Sequence, residues 1–289
     1  PENCKYRLGL SATPERYGDD EGTQALFDYF GSIVFSFPIE KAIGKFLTPY
    51  YYHAIPVELT EEEFEDYCQL TAQIVNLINR TDDVTQERLK MLLIKRARIQ
   101  NNSINKIQWL RNNILQKQID YSLFYAGDQI FDSVKHLLGK ELKIKIHEFT
   151  SRQSRAERKK LLEEFANQEI QSLLAMKCLD EGVDVPPTRA AYFLASSSNP
   201  REFIQRRGRV LRKYPGKEHA IIYDLISIPP LKFIEKGSKG KEYNAVKSAF
   251  TKEYKRVQEF AHMALNRYES MNELFAMADQ LDLLDITHK

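Results

Sequence analysis

Gln205-Arg206-Arg207-Gly208-Arg209-Val210-Leu211-Arg212 is the stretch of this chain best suited to chemistry. A glycine stands between arginines, and a last arginine follows three residues after Arg209. That spacing aims two guanidiniums at one polyanion. Arginine suits the task because its planar fork stays charged and grips phosphate oxygens through two parallel bonds. On a helix Gln205, Arg209 and Arg212 share one face, whereas Arg206 and Arg207 point elsewhere. An arginine-rich surface helix without a ligand is the plain alternative.

Two further segments bear on the choice. Near the start stands Leu8-Gly9-Leu10-Ser11-Ala12-Thr13-Pro14-Glu15-Arg16. Shortly before the arginines comes Leu173-Leu174-Ala175-Met176-Lys177-Cys178-Leu179-Asp180-Glu181-Gly182-Val183-Asp184-Val185-Pro186. In residue types, order and separation the three segments resemble motifs III, V and VI of superfamily 2 helicases and translocases. The wording is most similar to the branch that holds the xeroderma-pigmentosum B repair helicase and restriction-type translocases. The resemblance covers roughly residues 5–226.

The resemblance implies a role for each residue. Arg209 and Arg212 would be arginine fingers that reach a nucleotide's γ-phosphoryl group, where neutralising spread charge is most of the catalysis. Gln205 would contact that phosphate or a bridging water, and Gly208 would permit close approach. Asp184 would accept a hydrogen bond from the ribose, beside the backbone turn at Gly182. Ser11, Ala12 and Thr13 would couple the ATP site to a nucleic-acid track. Nucleic-acid contacts would come from Gly127 and Asp128, from Thr150, Ser151 and Arg152, and from Met176 and Lys177; hydroxyls, lysine and backbone amides suit sequence-independent phosphate gripping. Plainer readings stand beside these. Gly182 also fits a helix C-cap, Asp184 a turn former before two prolines, and the Ser11 and Thr13 hydroxyls simple turn satisfaction.

Motors of this kind need a Gly-x-x-x-x-Gly-Lys-Ser/Thr loop and an acidic Mg²⁺-binding box. Gly-Lys occurs at Gly44-Lys45, Gly139-Lys140, Gly216-Lys217 and Gly240-Lys241, never followed by Ser or Thr. Asp20-Glu21 and Asp180-Glu181 both run into glycine. ATP and Mg²⁺ would therefore be held together with an upstream RecA-like lobe of the same protein. The chain opens on Pro1, just before a mid-domain motif, and reads as a C-terminal piece beginning at motif III that would not hydrolyse ATP alone. Duplex DNA is the expected partner. An RNA helicase of the same superfamily and a catalytically silent nucleic-acid-binding scaffold are the rivals.

The bulk properties agree with an ordered intracellular protein. The 289 residues are 43% hydrophobic, with 12 glycines and 11 prolines, ample for a core and poor for disorder. Cys4, Cys68 and Cys178 lie too far apart to suggest a disulfide framework or a zinc site. No apolar run approaches membrane-spanning length. The net charge of +2 hides two basic stretches. One runs from Arg88 to Lys117 through Lys90, Lys95, Arg96, Arg98, Lys106 and Arg111; the other is Arg152, Arg155, Arg158, Lys159 and Lys160. Each reads as a polyanion-binding face or as solvated helix surface.

The elements that must hold these residues follow from pattern. Residues 6–11 and 33–37 read as strands, with helices near 22–30 and after Pro38. Residues 1–45 would end a first RecA-like lobe, 46–230 would form a second with a helical segment at 60–117, and 231–289 a linker and helical extension. Within the second lobe strands are expected at 51–59, 121–126, 142–149, 170–175, 190–195 and 220–225. Thr60 with Glu63 is a capping box opening a helix through Asn79. Two helices fill 84–117 with a break near Asn101-Asn102-Ser103, and Trp109 reads as core. Helices at 129–138, 154–167 and 200–212 alternate with the strands, which implies an α/β fold with a parallel sheet covered on both faces. Ligands in such sheets bind beyond the strands' carboxyl ends.

Overall fold

The computed structural model describes residues 6–11, 14–16, 19–80, 82–176, 185, 187–195, 206–233, 241–281 and 283–284. Six strands form one parallel sheet in the order β1-β6-β5-β2-β4-β3. They are β1 (Tyr50–Glu58), β2 (Ser122–Tyr125), β3 (Ile146–Phe149), β4 (Ser172–Ala175), β5 (Ala190–Phe193) and β6 (Ala220–Ile228). Each expected strand of the second lobe is present.

Strand alternation sorts the side chains onto two faces. Leu123, Tyr125, Leu173, Ala175, Ala191 and Phe193 enter one apolar cluster, with Leu161 and Phe165 of α7 (Arg155–Ala166). Phe124, Leu174, Ala190 and Tyr192 enter the other, with Ile107 and Leu110 of α5 (Asn105–Asn113) and Phe131 and Val134 of α6 (Phe131–His136). Trp109 packs against this second cluster. Across the strands Phe124, Tyr192, Tyr223 and His53 stack in a ladder, with ring centroids 4.6, 4.8 and 5.2 Å apart. Both faces are covered, so the central short strands β2, β4 and β5 are mostly apolar, whereas edge strand β3 carries His147 and Glu148.

Helices α3 (Glu61–Leu77) and α4 (Asp83–Asn101) form a hairpin with a small apolar contact of its own, Ile74 against Leu89 and Leu92. The Thr60–Glu63 capping box forms as expected. The same Glu63 carboxylate accepts from Ser103 Oγ and Ile104 N, at 3.1 and 2.9 Å, where α4 breaks into α5. One side chain thus opens one helix and fixes the turn between two others.

The C-terminal helices α9 (Lys241–His262) and α10 (Arg267–Gln280) lie on the sheet. Phe250, Tyr254, Phe260, Leu274 and Met277 enter the first cluster. Between them Asn266 gives its amide to Tyr52 O (3.0 Å) and accepts from Tyr52 N (2.9 Å). That pairing occupies backbone groups on edge strand β1, which otherwise invite a foreign strand. Beneath α9 the fully buried Asp224 accepts from Tyr52 Oη at 2.7 Å and pairs with Arg256.

Several expectations are corrected. Residues 6–11 and 33–37 are not strands, and their apolar side chains, among them Leu8, Leu10, Val34 and Phe35, stand exposed. A strand exists only beside a neighbour, and none pairs with them among the described residues. β3 begins at Ile146, not Leu142, because α6 continues as a wider turn at Leu137–Glu141 and Lys143 takes φ +59°. The helix after Pro38 is only the four-residue α2 (Ile39–Ala42), while α1 spans Asp20–Phe30. No helix among the described residues is long and apolar enough to cross a membrane.

Candidate functional site

The arginine segment is helical over the described residues 206–210, labelled α8. Its start lies at the carboxyl edge of the sheet, where Arg206 Nη1 donates to Ala195 O just beyond β5, at 3.3 Å. Its end lies at the opposite edge, where Thr48 and Pro49 lead into β1. Thr48 N donates to Leu211 O at 2.6 Å, and Leu47 forms an antiparallel bridge with Arg212.

Helical phase divides the arginines. Arg206 and Arg207 turn inward: Arg206 lies 5.2 Å over the Tyr125 ring, and the fully buried Arg207 lies 4.0 Å over Phe260. Burial lowers the Arg207 pKa, while Tyr50 and Glu259 favour its charge. Val210 and Leu211 are fully buried too. Arg209 is half-buried and Arg212 exposed. A Cβ at Gly208 would meet nothing within 4 Å, so nothing among the described residues requires a glycine there.

At the end of α8, Thr48 Oγ1 and Lys217 Nζ donate to Arg212 O at 3.3 and 3.0 Å, and Lys217 also bonds Val210 O. Sequence reasoning missed both residues. In the sequence Thr48 marks only a boundary and Lys217 only a turn, and no local pattern announces a contact across 164 residues.

The candidate nucleic-acid residues sit at the carboxyl edge. Tyr125, Ala175 and Phe149 end β2, β4 and β3 side by side. Gly127, Asp128, Thr150, Ser151, Arg152 and Met176 therefore emerge from one edge. Most already serve the fold. A Cβ at Gly127 would fall 2.1 Å from Asn102 Oδ1 and 2.7 Å from Asn101 O, so the glycine admits the α4–α5 junction. Asp128 accepts from Asn102 Nδ2 at 3.1 Å and lies 3.6 Å from Arg98. The buried Thr150 donates to Gln153 Oε1 and accepts from Arg152 N. Met176 packs on the second cluster. Ser151 and Arg152 are exposed at the turn, which Arg158 braces by donating to Ser151 O and Gln153 O.

The basic stretch from Arg88 to Lys117 is not one face. Arg96 is buried against Thr71 and Tyr67, Arg98 faces Asp128, and Arg111 pairs with Glu141 at 2.9 Å. Lys106 is buried, donating to Gln100 O and Leu194 O at 2.7 and 2.6 Å, and burial pulls its pKa down to about 8. It borders a cavity of about 30 Å³, room for a single water, lined also by Ser227 and Glu253. In the second stretch Lys159 and Lys160 face Glu163 and Glu164, while Arg152 and Arg155 are exposed.

Ser11 is described and exposed. Ala12, Thr13, Lys177, Gly182, Asp184 and Gln205 lie outside the described residues.

Residues 105–214 match the family model of the helicase conserved C-terminal domain. That stretch holds β2 to β5 and the arginine helix, so residues 105–214 are of the helicase C-terminal domain kind. The resemblance read from the three motifs is borne out. Among particular relatives, "DNA 3'-5' translocase XPB2" of Sulfurisphaera tokodaii is 29% identical over 241 residues, 77% of this chain and 53% of that protein. "Putative helicase 22" of a Sulfolobus islandicus filamentous virus is 31% identical over 99 residues, 31% of this chain and 17% of that protein. The chain thus spans about half the length of the first of these. The Sulfolobus solfataricus SWI2/SNF2 ATPase core in complex with dsDNA aligns with a TM-score of 0.51 and 16% identity, over 91% of this chain and 57% of that one. This likeness is one of fold, and the sheet is of the RecA-like kind.

Proposed function

We propose that this chain is the C-terminal motor lobe of an ATP-dependent DNA helicase or translocase. The observation that carries the reading is the arginine helix. Its inward arginines belong to the core, Arg209 is half-buried, Arg212 stands exposed at the amino edge, and a Cβ at Gly208 would meet nothing among the described residues. Space for close approach beside two cations fits a phosphate chain.

In this reading ATP supplies the phosphoryl group and Mg²⁺ neutralises part of its charge. Arg209 and Arg212 stabilise the charge that develops on transfer, Gln205 orients the phosphate or a water, and Gly182 and Asp184 hold the ribose side. The phosphate loop and the Mg²⁺ carboxylates come from an upstream RecA-like lobe, since no Gly-Lys of this chain is followed by Ser or Thr. Residues 1–45 would end that lobe, with Ser11, Ala12 and Thr13 coupling it to the track. Residues 46–230 would be the second lobe, and 231–289 an extension laid on it. Nucleic acid would run along the carboxyl edge, gripped through Ser151, Arg152 and Lys177. The XPB2 relative carries the name of a DNA translocase, which favours DNA over RNA.

The test uses the full-length protein. Duplex DNA should stimulate its ATP hydrolysis more than duplex or single-stranded RNA, and residues 1–289 alone should not hydrolyse ATP. Stronger stimulation by RNA would establish the RNA-helicase rival. Absence of hydrolysis with either would establish the silent scaffold, and sustained hydrolysis by residues 1–289 would refute the two-lobe reading.

A further inference from the structure

We propose that Thr48 and Lys217 are positioning residues for Arg212, holding its main chain from two sides so that the segment entering β1 sets where the arginine stands. The proposal rests on the reading of Arg212 as a finger and names what aims it.

The last carbonyls of a helix have no partner within it. At α8 they are satisfied from elsewhere in the chain. Leu211 O accepts from Thr48 N, Arg212 O from Thr48 Oγ1 and Lys217 Nζ, and Val210 O from Lys217 Nζ. Thr48 is 1% exposed and Lys217 8%. An ammonium withdrawn that far from water must be compensated, and a cation at a helix C-terminus is favoured by the carbonyl dipoles. The turn that delivers it is specific: Gly216 takes φ +72° and Lys217 N donates to Tyr214 O at 3.0 Å.

Thr48 is fixed just as firmly. Pro49 follows it and restricts its backbone to extended conformations, and Pro49 O accepts from Ala220 N at the start of β6. Leu47, on its other side, bridges both Ile43 and Arg212. Upstream, Arg207 and Val210 of α8 and Leu211 just after it are locked in the core. The exposed Arg212 side chain therefore leaves a main chain held by two buried donors, one of them on the segment that joins residues 1–45 to the sheet. A shift of residues 43–48 would pass straight to the finger.

The experiment compares Thr48→Val, Thr48→Ser, Lys217→Met, Lys217→Arg and Arg212→Ala in the full-length protein with saturating duplex DNA. Thr48→Val and Lys217→Met should lower kcat by roughly ten- to a hundredfold, the scale of a reacting group displaced by up to an ångström. The KM for ATP should change by less than about twofold, and amide exchange at Arg212 and Lys213 should quicken. Thr48→Ser, which keeps the hydroxyl, should restore turnover. Lys217→Arg should restore it only in part, because a guanidinium is too bulky for a site shaped to an ammonium. Should Lys217→Met fail to fold, Thr48→Val decides alone. Turnover near the parent's in Thr48→Val, while Arg212→Ala is crippled, would overturn the positioning role. Parent-like turnover in Arg212→Ala would instead overturn the finger reading beneath it.

Discussion

The two edges of the sheet use their polar residues differently. At the carboxyl edge Gly127 makes room for Asn102, Asp128 answers Asn102 and Arg98, and Thr150 ties its own turn. These residues serve the chain itself. At the amino edge Thr48 and Lys217 hold the end of α8 from both sides, and midway along α8 a Cβ at Gly208 would meet nothing among the described residues. A residue type with an internal explanation requires no ligand to account for it. One without such an explanation points outward. In the proposed reading the amino edge, where Arg212 stands, meets the nucleotide, and the carboxyl edge meets nucleic acid chiefly through Ser151 and Arg152.

The largest effect should follow from Arg212→Ala in the full-length protein. Arginine fingers are worth on the order of 10³–10⁵ in rate, and Arg209 remains to share the charge, so a loss of about 10³ in kcat is expected. ATP affinity should be nearly unchanged, as for an interaction made in the transition state. Arg212→Lys should recover little because an ammonium lacks the fork. Steady-state ATPase beside nucleotide binding measures both. Arg206→Ala should act on stability, because Arg206 is buried over Tyr125.

At the carboxyl edge the effect should move from turnover to folding. Gly127→Ala drives a methyl into Asn102 Oδ1 and Asn101 O, which should cost about 2–3 kcal/mol in denaturant unfolding. Unchanged stability would show that the α4–α5 junction yields and that the close approach is incidental.

Lys106 gives this edge a pH signature. Its folded pKa of about 8 lies below the ordinary 10.5. Between those values the unfolded chain binds the extra proton, so stability should rise with pH from about 8 to 10. Below 8 both states are protonated and the full penalty of burying the charge remains. The gain should be on the order of a few kcal/mol at most, and Lys106→Met should abolish the slope.

A smaller effect is expected on binding. Arg152→Glu with Arg155→Glu should flatten the log–log salt dependence of duplex DNA binding by roughly one unit for each phosphate that the variant no longer grips. Arg96→Glu should destabilise the α3–α4 hairpin instead, since that arginine is buried between the helices.

What the sequence showed and what it hid follow from the range of the interactions. The Thr60–Glu63 capping box, the apolar strands and the inward phase of Arg206 and Arg207 are written within a few residues, and they were legible, whereas the helix expected through 212 ends at 210, with Arg212 bridged to Leu47. The strands expected at 6–11 and 33–37 failed because strand formation depends on a partner that pattern alone does not reveal. The clamp on Arg212 and the Asn266 pairing with Tyr52 join residues 164 and 214 positions apart. The basic stretch misled for a related reason: composition counts charges but does not show that Arg96 and Lys106 are buried.

Gly208→Ala tests the contrast between the edges most directly, because it should move stability and turnover in opposite directions. Alanine is favoured over glycine inside a helix by about 0.5–1 kcal/mol, and at Gly208 the added methyl meets nothing among the described residues. Chemical unfolding of the chain should therefore show a gain of that size. ATP turnover of the full-length variant should fall, since in the proposed reading the methyl would occupy the space through which the phosphate approaches. A loss of stability, or turnover equal to the parent's, would contradict the account.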